Sequence, residues 1–327
     1  MKIAVVNMPT VFGNLKENLQ IVKRMTEAAV GEGAEMIIFP EFFTTGFALN
    51  PILLQGIKDS KDIKVYMAKL SSEYKVAIGG SYLHYDMEKK NVYNTFGLFL
   101  ETGEQYFHSK DIPTGIENFC YTDGDDVSAF ETPIGRIGIV MCWEQLRWQT
   151  VRRMANRVDL LIGGSCWWSF VPEDGEKLYN EVAEVNHQLA EQAPLQLSRI
   201  LGVPFVHASH YGTFPGGILM DPFASCNRKI EGNAIMTDAK GNTLCSSEGK
   251  PGYFIHDVNL GCIHDNVIIP ESKIWIPDLP PMLEQGFDML REHYSQYYEN
   301  VTRKKLLDII NLLSSEPSKY NKILMVL

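Results

Sequence analysis

Short apolar runs alternate with helix-patterned segments along most of this 327-residue chain. Residues 2–8 predict a buried strand, and Asn14 with Glu17 predicts the start of a helix. Residues 36–39 predict the next strand, which Pro40 ends. Further strands are expected at 75–82, 91–100, 105–108, 159–163, 203–209, 233–238, 243–247 and 253–259, and a helix at 177–200. Repeated strand–helix units followed by strand-rich stretches predict an α/β sheet protein.

The stretch Ile-Gly-Ile-Val-Met-Cys-Trp-Glu-Gln at 137–145 predicts a buried strand, a tight turn and a helix, with Cys142 at the turn. A helix N-terminus lowers the pKa of a neighbouring thiol, and the backbone N–H after the cysteine points toward the place where an oxyanion would form. Cys142 is therefore a candidate nucleophile. The alternative is a structural cysteine, because free cysteines are among the most buried residues.

Two charged residues near element ends extend this candidate site. Glu41 follows strand 36–39 at the sheet edge where open α/β proteins bind ligands. Its phenylalanine-rich surroundings predict a raised carboxyl pKa, which suits a general base, although a solvated loop carboxylate is the alternative. Lys110 lies in a Pro- and Gly-containing loop with Glu117. These charges form a lysine–carboxylate site if the loop folds inward, and a charged surface if it does not.

Bulk composition restricts the partners. The hydrophobic fraction of 45% permits a large core, and a formal net charge of -10 disfavours nucleic acid and anionic membrane as partners. The six cysteines show neither a C-x-x-C pair nor finger-like spacing with histidine, so we expect no metal site and no dense disulfide framework. No apolar run resembles a signal segment or a membrane span. We expect a soluble, cytoplasmic protein with reduced thiols.

Several motifs together resemble those of the carbon–nitrogen hydrolase family, also called the nitrilase superfamily. They are Phe39-Pro40-Glu41, Lys110 with Pro113 and Glu117, and Gly135-Arg136-Ile137-Gly138 leading to Cys142-Trp143-Glu144. The resemblance covers roughly residues 1–260 in the family's order and approximate spacing. It implies a four-layer αββα sandwich, a Glu41–Lys110–Cys142 triad with Glu117 beside the lysine, no metal or organic cofactor, and a homodimer or larger assembly.

The resemblance also implies the chemistry. Cys142 would attack the carbon of a C–N bond in a small amide or nitrile, Glu41 would take the thiol proton, and Lys110 would stabilise the oxyanion. Cys142-Trp143-Glu144 and the Lys110–Glu117 spacing favour the nitrilase branch. Gln145, Arg147 and the lack of a Trp-Pro element near residue 167 disfavour it. We place amide hydrolysis first and nitrile hydrolysis second.

Other readings of the same residues stay open. A Cys–His hydrolase could pair Cys142 with His207 or His210, a redox protein could pair it with Cys166, and the chain could be a catalytically inactive binding relative. Aromatic residues and one histidine are candidates for substrate binding or, equally, for the core. These are Phe47, Trp143, Trp167, Trp168 and His210. As a pocket they would favour a substrate with an apolar or aromatic part.

The chain changes character beyond about residue 262. We therefore predict a hydrolase domain at 1–262 and a C-terminal extension at 263–327 that packs on the core or on a partner subunit. The extension is first proline-rich, and helical stretches are then expected near 282–298 and 301–313. Apolar residues at helical spacing in the second stretch require a cover. They are Leu306, Ile309, Ile310 and Leu313.

Overall fold

The computed structural model of the chain describes residues 1–47, 53, 57, 60–125, 127–170, 177–215, 228–271, 274–306 and 308. The strands in these ranges are β1 (Lys2–Met8), β2 (Met36–Ile38), β3 (Ala77–Asp86), β4 (Asn91–Phe99), β5 (Gln105–Ser109), β6 (Ala129–Thr132), β7 (Gly135–Met141), β8 (Leu160–Gly164), β9 (Trp168–Phe170), β10 (Phe205–His210), β11 (Thr213–Phe214), β12 (Arg228–Ile230), β13 (Ile235–Thr237), β14 (Thr243–Ser246) and β15 (Gly252–Asp257). The helices are α1 (Leu15–Gly31), α2 (Ser60–Tyr74), α3 (Trp148–Met154), α4 (Lys177–Leu201) and α5 (Pro281–Tyr297).

The main sheet divides into two halves that meet at one corner. The first half runs β5-β4-β3-β2-β1-β15, and the second runs β6-β7-β8-β10-β13-β14. The halves join where β1 and β10 pair in parallel at their carboxyl ends, with Asn7 opposite Ser209 and Met8 opposite His210. Because parallel strands carry their functional loops at the carboxyl end, this corner gathers loops from both halves.

Alternation along each strand builds the layers. In β1, Ile3 and Val5 face the space between the two half-sheets, where they join the same apolar cluster as Ile137 and Ile139 of β7. The intervening β1 residues, such as Val6, face α1 and α2 instead. On the far side, residues of β7, β8 and β10 pack against α3 and α4. The resulting order of helix, sheet, sheet and helix confirms the predicted αββα sandwich.

Most predicted elements are present with small shifts at their ends, and α1 begins at the expected place. The Asn14 side chain accepts a 3.1 Å hydrogen bond from the Glu17 backbone N–H and caps the helix. Helix α2 was not predicted, although Ile63, Met67 and Leu70 lie on one face of the helix and are buried against the first half-sheet. Its many lysine and serine residues make that stripe weak in the sequence.

The C-terminal helix differs from the prediction in one respect. The expected break near residue 299 is absent, because a π-helical turn at Tyr298–Thr302 continues α5 into residues 303–306. Leu306 is buried in an apolar cluster with Tyr298 and Phe119. The rest of the predicted stripe, Ile309, Ile310 and Leu313, lies outside the described residues.

The described part of the extension lies against its own chain near Cys142. The Ile276 backbone N–H donates to the Leu146 carbonyl at 2.5 Å, and the Trp148 N–H donates to the Ile274 carbonyl at 2.7 Å. Helix α5 packs on the turn Gly115–Phe119. The extension therefore contacts both the turn that begins at Cys142 and the loop after Lys110. None of the described helices has the length and apolar character needed to cross a membrane.

Candidate active site

Cys142 stands directly after β7 in a strained backbone conformation. Its φ is +49°, in the left-handed region that non-glycine residues seldom adopt. A short 3₁₀ turn, Cys142–Leu146, follows it, and α3 begins only at Trp148. The strand and tight turn are as predicted, but no α-helix starts at the cysteine. The Trp143 backbone N–H acts on the Cys142 sulfur and tends to lower the pKa of the thiol. A backbone donor next to a cysteine is the kind of group that stabilises an oxyanion.

The expectation of a lowered thiol pKa at Cys142 is wrong. The residue is 2% exposed, and burial raises the pKa of its thiol well above the ordinary value. Glu41 raises it further, whereas Lys110 opposes the rise. A 3₁₀ turn of five residues supplies too small a dipole to reverse desolvation. The resting cysteine is therefore a neutral thiol, which must lose its proton to a base before it can attack.

Glu41 is fully buried, and three donors hold its carboxylate. Oε1 accepts from Asn94 Nδ2 at 2.8 Å and from Lys110 Nζ at 3.0 Å. Oε2 accepts from the Cys166 backbone N–H at 2.9 Å. Burial raises the pKa of Glu41, and Lys110 partly offsets that rise. The direction agrees with the expectation from its apolar neighbours, and a carboxylate of raised pKa is suited to accept and return a proton near neutral pH.

Strand β3 holds the loop that carries Glu41. The Ser81 hydroxyl accepts from the Phe42 backbone N–H at 3.0 Å, and the Ser81 carbonyl accepts from the Phe43 N–H at 3.0 Å. On the opposite side, Gly164 at the end of β8 approaches so closely that a Cβ there would lie 2.8 Å from Pro40 Cα. The loop is thus fixed between both half-sheets.

Lys110 is fully buried between two carboxylates. Its Nζ lies 3.0 Å from Glu41 Oε1 and 2.7 Å from Glu117 Oε2. Burial alone would lower the pKa of Lys110, but Glu117 and Glu41 outweigh it and the pKa is raised. The ammonium group is therefore charged at every physiological pH. Of the two geometries left open by the sequence, the loop folds inward.

Glu117 accepts three hydrogen bonds through the same oxygen. The donors are Lys110 Nζ, the Thr114 backbone N–H at 2.8 Å, and the hydroxyl of Tyr121. The Glu117 side chain thus reaches back to the backbone N–H of the residue that precedes the turn Gly115–Phe119, and the Glu117 backbone N–H donates to the Thr114 carbonyl at 3.0 Å. Of the two carboxylates beside Lys110, Glu41 has the larger electrostatic effect on the Cys142 thiol.

Two of the predicted substrate-binding residues belong to the apolar cluster of Cys142. Trp143 stacks on Phe287 of α5 with ring centroids 5.5 Å apart and an interplanar angle of 12°. Trp167 lies 5.9 Å from Trp143 and is buried. Trp275 stands perpendicular to both Trp143 and Phe287. Aromatic residues of the C-terminal extension thus cover the residue that follows Cys142.

The other three candidates lie elsewhere. Phe47 is buried in an aromatic cluster with Phe42 and Phe119. Trp168 is on β9, and the guanidinium of Arg228 lies 4.5 Å from its ring centroid. The ring of His210 contacts the backbone carbonyl of Glu41.

The two histidines of the Cys–His alternative bond other groups. His210 Nε2 contacts the Glu41 carbonyl at 2.5 Å, and its Nδ1 contacts Thr10 Oγ1 at 2.7 Å. His207 Nε2 lies 2.7 Å from Ser165 Oγ. Burial lowers the pKa of each histidine to about 4.

Sequence patterns missed several polar residues that complete the site. Asn94 on β4 joins Glu41 to Ser81, since its Oδ1 accepts from the Ser81 hydroxyl at 2.8 Å. Tyr121 and the backbone of Cys166 were missed as well. A polar residue inside an otherwise apolar strand was the available signal for Asn94. No sequence signal pointed to a backbone N–H. Within the described ranges, no group of three or more Cys, His, Asp or Glu side chains is arranged to hold a metal ion.

The fold and this buried group define the class: an αββα protein with a lysine held between two carboxylates beside a cysteine. The chain belongs to the carbon–nitrogen hydrolase family, whose sequence profile, Carbon-nitrogen hydrolase, matches residues 2–261. The structure of a carbon–nitrogen hydrolase from Helicobacter pylori G27 has a TM-score of 0.67 at 16% identity, over 96% of this chain and 98% of that one. A mutant of the amidase from Nesterenkonia sp. AN1, solved in complex with butyramide, has a TM-score of 0.63 at 16% identity over 79% and 90% of the two chains.

Proteins similar in sequence are named for nitrile and cyanide chemistry. A bifunctional nitrilase/nitrile hydratase of Lupinus angustifolius is 28% identical over 44% of this chain and 47% of its own length. A cyanide hydratase of Armillaria gallica is 23% identical over 66% of this chain and 68% of its own. The chain thus spans about half the length of the plant relative that it matches. These identities show the family and leave the substrate class open.

Proposed function

We propose that the chain is a cysteine-dependent hydrolase of non-peptide C–N bonds, with an amide as substrate and a carboxylic acid and ammonia or an amine as products. The observation that carries the proposal is the position of Lys110 Nζ between Glu41 and Glu117, fully buried next to a neutral cysteine. Buried charges are costly unless they are paired, and here a surplus carboxylate is retained beside a thiol. That combination suits proton transfer better than structural support.

The first half of the reaction forms a thioester. Glu41 accepts the Cys142 proton as the sulfur attacks the amide carbon, and the electron pair of the C=O bond moves onto oxygen. The Lys110 ammonium and the Trp143 N–H stabilise that oxyanion. When the oxyanion collapses, the C–N bond breaks and the proton on Glu41 passes to the leaving nitrogen.

The second half releases the acid. Water attacks the thioester carbon while Glu41 accepts its proton, and the C–S bond then breaks with return of that proton to Cys142. Glu41 therefore serves twice as base and twice as acid. Glu117 keeps three donors and orients the lysine throughout.

The surroundings of Cys142 support an apolar or aromatic acyl group. Its apolar cluster is built from Trp143, Trp167, Trp275, Phe287 and neighbouring aliphatic residues. The guanidinium of Arg147 lies 5.5 Å from the Trp275 ring centroid and 5.7 Å from that of Phe287. We propose these aromatic residues, with Trp168, Phe47 and His210 as more distant candidates, as the source of selectivity.

Nitrile hydrolysis is the second candidate, because relatives similar in sequence are named for nitrile and cyanide chemistry. A nitrile would give a thioimidate first, which must gain water and lose ammonia before the thioester is reached. The amide remains first because a tetrahedral oxyanion uses Lys110 and the Trp143 N–H from the first attack.

Matched amide and nitrile pairs with the same side chain separate the two candidates. Ammonia and acid are measured for each member of the pair, with Cys142→Ala as the control. We expect amide turnover that Cys142→Ala abolishes while the circular dichroism spectrum is unchanged. Turnover of nitriles alone would reverse the order, and near-normal turnover by Cys142→Ala would refute the proposed nucleophile.

We further propose a homodimer or larger assembly, on the resemblance stated above. The measurement is the mass in solution by light scattering at several protein concentrations. A mass of two or more chains is expected. A single-chain mass at micromolar concentration would contradict the proposal.

A further inference from the structure

One buried carboxylate bonds the backbone on both sides of the site. Glu144 is 0% exposed. Its Oε2 accepts from the Met141 N–H at 2.8 Å, and its Oε1 accepts from the Asp111 N–H at 2.9 Å. Met141 directly precedes Cys142, and Asp111 directly follows Lys110. A single side chain thus joins the two residues that flank the nucleophile and the lysine.

His108 strengthens the same link. Its Nε2 lies 2.9 Å from Glu144 Oε1, and both side chains are fully buried. His108 is at the end of β5, two residues before Lys110. The Glu144 carboxylate therefore bonds the lysine-bearing segment at two places, one on each side of Lys110.

A second set of contacts joins the same two segments. Asp111 Oδ1 lies 2.7 Å from Arg147 Nη1, and Asp111 Oδ2 lies 2.9 Å from Arg153 Nη1. Gln149 Nε2 donates to the same Oδ2 at 2.6 Å. The two arginines and the glutamine all follow Cys142 in the chain, and all three contact the residue that follows Lys110.

We propose that Glu144 is a positioning residue that sets the place of the Lys110 ammonium relative to the Cys142 sulfur, with His108 as its support. Lys110 has a long side chain and Cys142 has a strained backbone, so each needs its flanking backbone held. An error of about 1 Å in such a pair can cost about 10²-fold in rate. The inference rests on the proposed function, since it concerns the same nucleophile and lysine.

A purely structural role explains the carboxylate less well. A well-packed apolar residue is often as stabilising as a buried ion pair, so stability alone does not require a charge at this position. What a carboxylate supplies is acceptance of two backbone N–H groups in two directions. Those N–H groups belong to the residues whose neighbours do the chemistry.

The test replaces the carboxylate by its closest amide. Glu144→Gln keeps the shape but offers one acceptor oxygen and one donor group, so one of the two backbone N–H groups faces a donor. We expect kcat for the best amide of the substrate screen to fall by about 10²-fold while KM changes less than about threefold. Thermal unfolding confirms that the assay is run on folded protein. Glu131→Gln, on the exposed face of β6, is the matched control and is expected to leave kcat unchanged.

A second pair of variants guards against misfolding. His108→Gln retains an N–H donor toward Glu144, whereas His108→Leu does not, so kcat is expected to be higher for the glutamine variant. Equal kcat values for the two, or a folded Glu144→Gln protein with kcat within about twofold of the wild type, would overturn the inference.

Alkylation separates failure of the inference from failure of the proposed function. Both proteins are treated with iodoacetamide, and modification of the peptide that contains Cys142 is followed by mass spectrometry. We expect slower alkylation of Cys142 in Glu144→Gln than in the wild type at the same pH. If Cys142→Ala still hydrolysed amides, the proposed function would fail, yet the alkylation rates would still decide the role of Glu144: equal rates would refute it.

Discussion

The backbone N–H of Cys166 donates to Glu41 Oε2 at 2.9 Å, across 125 residues of sequence. Cys166 follows β8, and Glu41 follows β2, so the bond joins the two half-sheets at the carboxyl ends of their strands. The remaining carboxylate oxygen faces Asn94 and Lys110. The orientation of the proposed base is therefore a property of the sandwich and not of its own loop.

Glu41→Gln should block the reaction, because an amide cannot accept the thiol proton. Loss of a general base typically costs about 10²–10⁴ in rate. The measurement is single-turnover acylation, with the exposed Glu101→Gln as the matched control. If Glu41→Gln stayed active while His207→Ala and His210→Ala were inactive, the Cys–His alternative would replace the proposed triad.

Gly164→Ala should reduce both stability and activity. A Cβ at this position would lie 2.8 Å from Pro40 Cα and 3.2 Å from the Glu41 nitrogen, and both are backbone atoms that cannot rotate away. Overpacking of this kind typically costs about 1–3 kcal/mol. Displacement of Glu41 should lower kcat by about tenfold, by the sensitivity of rate to geometry.

Gly31→Ala is the matched control for that substitution, because a Cβ at Gly31 meets nothing within 4 Å. Urea unfolding and kcat are measured for both variants. The control should match or slightly exceed the wild type in stability. A Gly164→Ala protein with wild-type kcat would show that Glu41 tolerates movement of its loop.

As the pH is lowered, kcat/KM should begin to fall at a pH above the ordinary pKa of a carboxyl group. Burial raises the pKa of Glu41 from the ordinary value of 4.5, and the base must be ionised to accept a proton. Activity is therefore gained as pH rises through the raised pKa. The measurement is kcat/KM between about pH 4.5 and 8. A profile that stayed flat down to pH 4.5 would contradict a titrating Glu41.

Folding stability should decrease as pH falls from about 6.5 toward 4. Burial lowers the pKa of His207 and His210 to about 4, from the ordinary 6.5. In this window the unfolded chain binds protons that the folded chain excludes, so the free energy of unfolding decreases with decreasing pH. Each histidine contributes a slope of at most about 1.4 kcal/mol per pH unit.

Urea unfolding at several pH values measures that slope. The double variant His207→Gln, His210→Gln removes both titrating groups and should flatten the dependence between pH 6.5 and 5. If the double variant kept the wild-type dependence of unfolding free energy on pH, groups other than these two histidines would be the cause of the acid sensitivity.

Much of the molecule follows from local patterns. Short apolar runs predicted β1 and β7, and Asn14 with Glu17 predicted the start of α1, because buried strands and helix caps leave local patterns in the sequence. The motifs around Glu41, Lys110 and Cys142 pointed to the family and, through the resemblance, to the αββα sandwich. Residue types at element ends were enough to name the candidate site.

Tertiary structure decided the contacts and pKa values that no periodic sequence pattern encodes. Asn94, Tyr121, Glu144 and the Cys166 N–H join the site through contacts between distant segments, and a hydrogen-bond partner far along the chain leaves no periodic trace. The Cys142 pKa depends on how completely water is excluded, and desolvation there exceeds the small dipole of a 3₁₀ turn. The sequence by itself therefore determined the elements and the chemical groups, whereas packing alone determined their distances, their protonation and the residues that hold them.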